Sequence, residues 1–223
     1  MRVGLKVITP NIEQTIVEIA RVSSSRKDKS QSPEGLINYL VKNNHWSPFE
    51  HGFLTFEIET SKAIAIQLLR HRSNFFQEFS QRYQDVNQLD SGEGIFEDIE
   101  LRRQHTNNRQ SSTEVFDPFI KFRDGSLHGF HASKKIENYI KEGQILYKEL
   151  LDAGVAREVA RMVLPMATKT RLYVTMNVRS VLHWLDLRDD SHAQKEIQLI
   201  AKEVKKIVIK KLPIISKARG WNE

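Results

Sequence analysis

The chain has 223 residues, a formal net charge of +6 and no cysteine. Its length suits one domain with its own core, and 28% charged against 39% hydrophobic residues is a globular balance. Without thiols there are no disulfides, thiolate metal centres or cysteine nucleophiles, and no apolar run reaches membrane-spanning length.

Residues 2–8 read as a strand and not as a leader, and a cytoplasmic location is expected. Asn11 can cap a helix with Ile12, Ile16, Ile19 and Ala20 as its apolar stripe. Ser23 to Ser32 is a polar, Ser-rich loop. Ser32-Pro33-Glu34 opens a second helix with Pro at its first position and Leu36, Leu40 and Val41 inside. His45 to Gly52 is an irregular link. Leu54, Phe56 and Ile58 then alternate with Thr55, Glu57 and Glu59, the pattern of a half-buried strand.

Ser61 starts a helix through Ala65, Leu68 and Leu69 that ends near Arg72, with Gln67 and Arg70 on one face. If the chain is extended beyond it, Glu78, Ser80 and Arg82 point to one side. Residues 84–114 read mostly as loop. A helix resumes near Lys134 with Ile136, Tyr139, Ile140, Tyr147 and Leu150. Another covers about 155–164, stops before Pro165 and sets Glu158 beside Arg161.

Arg171 to Asn177 reads as a strand. Val178, Val181, Leu182 and Leu185 mark a helix with Arg188 at its end. Ser191-His192-Ala193-Gln194 reads as a capping box opening the longest helix, whose stripe is Ile197, Ile200, Ala201, Val204, Ile207 and Val208 and whose stop is Pro213. No repeat or linker divides the chain, so a single domain over residues 1–223 is expected.

The common phosphate-binding signatures are absent. No Gly-rich loop with a Lys occurs, and Gly92-Glu93-Gly94 lacks the third glycine and helix of a dinucleotide fingerprint. The scattered histidines form no metal-ligand spacing, and no metal is expected. The chemistry concentrates in residues 70–83, where Arg70, His71, Arg72, Glu78 and Arg82 are interleaved with Phe75, Phe76, Phe79 and Tyr83. Guanidinium groups grip phosphate bidentately and stack on planar rings, so this stretch suits a flat anionic ligand. A nucleic-acid-binding module is the rival reading, since charge and the Arg/aromatic mixture suit it too. A flavin-coloured sample absorbing near roughly 450 nm separates the two.

Arg70-His71-Arg72, Ser80 and Arg82 follow the pattern Arg-His-Arg, seven residues, Ser, any residue, Arg. This resembles the signature of the flavin-dependent thymidylate synthases. His45-Trp46-Ser47-Pro48-Phe49-Glu50-His51, Arg161 to Pro165, Asn177 to Ser180 and Leu187 to Gln194 are similar to further blocks of that family, in order. Gln77 stands where many members have Asn. The segment between Arg82 and Arg161 is longer than in compact members, which places an insertion within about 84–145.

The resemblance implies an α+β fold, a mixed β-sheet with packed helices. It also implies reductive methylation of dUMP to dTMP, with 5,10-methylenetetrahydrofolate as carbon donor, FAD as hydride carrier and NADPH as reductant. It carries Gln67, Arg70, Glu78, Ser80, Gln81, Arg82, Arg161 and Arg188 over to dUMP, with Arg188 catalytic. FAD falls to Ser47, Arg70, His71, Arg72, Glu78, Asn177, Arg179 and His183, and His45 and His51 stand near flavin or folate. A homotetramer with sites shared between subunits is implied, without nucleic acid or membrane as partners.

Overall fold

The computed structural model describes residues 1–23, 32–89, 94–122 and 128–221. Most of the Ser-rich loop, residues 24–31, and the Gly92-Glu93 pair lie outside the described residues. The architecture is mixed α+β, and the described residues form a four-stranded sheet in the order β1 (Arg2–Ile8), β2 (Phe53–Ser61), β8 (Lys169–Asn177), β3 (Phe75–Glu78), and two small two-stranded sheets. The chain forms two compact units. The first holds residues 1–58, 67–77 and 172–223, and the second holds 59–66 and 78–171.

In the first unit, β1 (Arg2–Ile8) leads to α1 (Ile12–Ala20) and α2 (Pro33–Lys42). Asn11 sits at the N-cap of α1 but in a left-handed conformation and without a side-chain cap bond, so it turns the chain where capping was expected. Ser32 does cap α2, its Oγ accepting from Gly35 N at 3.4 Å. The link after α2 is a single 3-10 turn, Ser47–His51, with Pro48 and Phe49 buried.

This turn packs against α1 and α6 (Val178–Arg188). Gly52 at its end lets α1 come close: a Cβ there would meet Ile12 Cγ1 at 2.6 Å. β2 (Phe53–Ser61) buries Leu54, Phe56 and Ile58 as the alternation requires. β8 (Lys169–Asn177) buries Leu172, Val174 and Met176. Thr55 Oγ1 meets Thr175 Oγ1 at 2.9 Å, so the polar rows of the two strands face each other.

Asn177 caps α6, its Oδ1 accepting from Ser180 N at 2.8 Å. Helix α7 (Lys195–Lys211) buries Ile197, Ile200, Ala201, Val204 and Val208. Gln194, and not Ser191, is its N-cap residue and makes no side-chain cap bond, so the expected capping box does not form. Pro213 ends α7 as expected and also opens α8 (Pro213–Ala218), which packs on α2 and α7.

α3 (Lys62–Leu68) begins in the second unit and ends in the first, shorter than its apolar pattern suggests. β3 (Phe75–Glu78) ends at Glu78. Tyr83 N and Gln84 N both bond Ser80 O, at 3.0 and 2.9 Å, so the chain turns at Ser80. The chain is therefore not extended through Arg82, and the condition for a one-sided alignment of Glu78, Ser80 and Arg82 is not met.

The second unit's expected loop contains a hairpin, β4 (Arg102–Gln104) with β5 (Ser112–Val115). A second hairpin pairs β6 (Phe119–Lys121) with β7 (Gly129–His131). α4 (Ala132–Asp152) is the longest helix at 21 residues, against 17 for α7. Its N-terminus is capped from a distance, by Asp117 carboxylate oxygens accepting from Ser133 N at 3.0 Å and Ser133 Oγ at 2.6 Å. α5 (Arg157–Ala160) continues as a 3-10 turn through Val163. Tyr147 of α4, fully buried, centres this unit's core with Val86, Ile95 and Ala160.

Candidate active site

The first unit holds a cavity of about 620 Å³. Asn177, Arg179 and His183 line it from the start and outer face of α6, as the helical spacing requires. Asn44, Trp46, Glu50, Ser73, Ser180, Leu182, Asp186 and Arg219 complete the wall. Arg179 pairs with Glu50 and Arg219 with Asp186, so each cation on the wall carries its own counter-charge. The remaining lining is amides, hydroxyls, an imidazole, the Trp46 ring and Leu182. A wall balanced in charge and rich in planar donors and acceptors suits a large polar heteroaromatic ligand. Volume and donor set fit a flavin nucleotide.

Of the residues expected at the flavin, Asn177, Arg179 and His183 share this cavity. His71 is half-buried beside α6, where its ring meets Trp184 edge-on at 6.4 Å. Ser47, Arg70 and Arg72 are exposed, and Ser47 does not line the cavity. His45 lies edge-on to Tyr39 at 5.7 Å, a contact within its own segment, and His51 is exposed.

Arg188, at the last turn of α6, donates from Nε to His71 Nε2 at 3.0 Å. Among the described residues no carboxylate pairs with it. Neighbouring Asp189 is taken by Lys205 at 2.7 Å and Asp190 by His192 at 2.7 Å. Burial lowers Arg188 from the ordinary guanidinium value. The same burial, then Arg188 and His183, push His71 down to about 4, so the imidazole is neutral at ordinary pH. Gln67, at the end of α3, donates to Gln194 at 2.5 Å.

The second unit gathers the others. Glu78 Oε1 accepts from Lys62 at 2.7 Å and from Thr170 at 2.8 Å, which fixes the carboxylate at the end of β3. Gln81 is buried and its Nε2 finds no partner among the described residues. Arg82 lies 3.6 Å from the Glu158 carboxylate. Arg161 Nε instead donates to the Glu158 backbone carbonyl at 3.3 Å, so Arg82 and Arg161 converge on one residue. Sequence spacing suggests an Arg161–Glu158 ion pair, but the carboxylate belongs to Arg82. Ser80 is exposed, and its hydroxyl bonds no base among the described residues, which leaves it a polar contact.

Several of these side chains lay outside the sequence-based set. Trp46, Glu50, Ser73 and Ser180 sit inside the blocks already quoted, next to assigned residues, and adjacency was their only signal. Lys62 and Thr170 become visible only when β8 returns beside β3. Arg219 lies outside every block.

A family model described as "Thymidylate synthase complementing protein" matches residues 5–214. A flavin-dependent thymidylate synthase of Synechocystis sp. is 38% identical over 211 residues, covering 94% of this chain and 90% of that protein. A probable flavin-dependent thymidylate synthase of Paramecium bursaria Chlorella virus 1 is 35% identical over 210 residues, covering 94% and 91%. Among solved structures, a UMP/dUMP methylase of Streptomyces cacaoi bound with 5-Br dUMP superposes with a TM-score of 0.74. It is 28% identical, and the match covers 97% of this chain and 93% of that one. The chain belongs to the flavin-dependent thymidylate synthase family.

Proposed function

We propose that the chain makes dTMP from dUMP by reductive methylation, with 5,10-methylenetetrahydrofolate as carbon donor, FAD as hydride carrier and NADPH as reductant. The observation that carries this reading is Arg188, a half-buried cation without a carboxylate partner among the described residues, in a chain that has no cysteine. A pyrimidine C5 becomes nucleophilic either by covalent addition of a thiolate or by stabilising negative charge on N3 and O2. The first route has no residue here. The second needs a fixed positive fork on that ring edge, and guanidinium stays charged at any working pH.

Arg188 takes that post and holds the N3-deprotonated or enolate-like ring. Arg70, Arg82 and Arg161 supply donors for the phosphate and sugar, and Gln67, Ser80 and Gln81 the neutral polar contacts. Glu78, pinned by Lys62 and Thr170, orders the nucleotide and the flavin edge. Ser47, Arg70, His71, Arg72, Asn177, Arg179 and His183 hold the FAD, which when bound supplies the hydride that completes the methyl group. The chain acts as one functional domain over residues 1–223, assembled as a homotetramer whose sites draw on several subunits.

Arg188→Ala tests the reading. Flavin content is expected to stay and dTMP formation to fall by about 100- to 1,000-fold, the usual cost of a lost charge-stabilising donor. Unchanged turnover, or an apoprotein that no longer takes up FAD, would refute the role.

A further inference from the structure

We propose that His71 is a positioning residue: a neutral imidazole that aims Arg188 at the pyrimidine without diminishing its charge. The inference presupposes Arg188 as the polarising cation and adds what holds it. A guanidinium has five N–H donors in one plane. Nε is committed to His71 at 3.0 Å, and the terminal Nη1/Nη2 fork has no protein partner among the described residues. One bond at Nε restricts rotation of the plane and leaves the fork for ligand. The Trp184 edge restrains the imidazole in turn.

An imidazole nitrogen accepts only when unprotonated, so His71 carries its proton on Nδ1. The titratable groups set against it are Arg188 and His183, both on α6, and with burial they favour the neutral ring. The carboxylates nearest Arg188 in sequence are engaged elsewhere, Asp186 with Arg219, Asp189 with Lys205 and Asp190 with His192. Arg179 and Arg219 show the alternative: each is held by a carboxylate that offsets its charge. A neutral acceptor fixes direction and keeps the full positive field for the ring.

Three substitutions separate aiming from simple support. His71→Gln keeps a neutral acceptor, His71→Glu keeps an acceptor but adds a negative charge, and His71→Leu removes it. With reduced flavin, dUMP and methylenetetrahydrofolate in single turnover, His71→Leu is expected to lose about 100-fold in dTMP formation. His71→Gln should recover to within about tenfold of wild type, and His71→Glu should stay as slow as His71→Leu. A residue that only supported the fold would serve as well with Glu as with Gln.

Nitrogen-15 imidazole spectra of the wild-type holoenzyme give a readout independent of turnover and of whether the variants fold. A neutral, Nδ1-protonated His71 at pH 6 is expected. An imidazolium, or a proton on Nε2, overturns the proposal, as does His71→Gln no faster than His71→Leu or His71→Glu as fast as His71→Gln. Wild type that makes no dTMP defeats the proposed function and this inference together. Wild type that makes dTMP, with Gln and Leu variants equally slow, defeats the positioning role alone.

Discussion

Arg82 and Glu158 are both largely exposed, with side-chain accessibilities of 66% and 57% and a 3.6 Å separation. An ion pair of that kind contributes about 0–1 kcal/mol to folding. A charge-assisted bond from the same guanidinium to a nucleotide phosphate or sugar is worth about 1.5–3 kcal/mol, or roughly 10- to 100-fold in affinity. Arg82→Ala is therefore expected to leave Tm nearly unchanged and to weaken dUMP binding in calorimetry by that factor. Unaltered binding would remove Arg82 from the nucleotide site.

The residue scale is also where sequence and structure divide most clearly. Arg188 alone reads as a helix-end charge compensating the dipole, and only the surrounding motif singles it out. What the motif does not carry is its partner. His71 and Arg188 are far apart in the chain, and their contact exists only because the segment after α3 folds back onto the end of α6. Contacts between segments this far apart in sequence leave no local periodicity.

At the scale of elements, β2, β8 and α6 were legible because each has one wet face and one buried face, so the period of the apolar residues reports the backbone. β4, β5, β6 and β7 bury almost nothing, and a hairpin without a buried face has no alternation to read. The capping box expected at Ser191 failed for a different reason. Helix α7 starts at Lys195 with Gln194 at its N-cap, so Ser191 lies three residues ahead of the cap position.

A long-range cap links α1 to α8. Glu13 Oε1 accepts from Ile215 N at 2.7 Å, at the start of α8. Burial pushes the Glu13 carboxyl above the usual glutamate range, outweighing the two backbone donors of Ile214 and Ile215. Its folded value exceeds its unfolded one, so between them the folded state binds more protons. The Glu13 contribution is thus greatest in acid and declines as pH rises through the folded value. Glu13→Gln keeps an acceptor but cannot ionise. Its Tm is expected to gain on wild type as pH is raised from roughly 4 to 7. Parallel Tm curves would contradict the assignment.

At the scale of the whole molecule, neither compact unit is continuous in sequence. The chain enters the second unit at Glu59, leaves it at Ile66, and returns from Glu78 to Arg171. Strands β2, β3 and β8 and helix α3 each cross that division without a Gly/Pro-rich linker, which is why the sequence shows no boundary.

The central claim is that a fixed guanidinium, and no sulfur nucleophile, readies the pyrimidine for methyl transfer with flavin as the source of hydride. The most direct measurement is anaerobic. The flavin of purified protein is reduced, dUMP and methylenetetrahydrofolate are added, and dTMP and flavin oxidation are followed together. One dTMP formed per flavin reoxidised is the predicted result. Flavin that stays reduced, with no dTMP, would contradict the account.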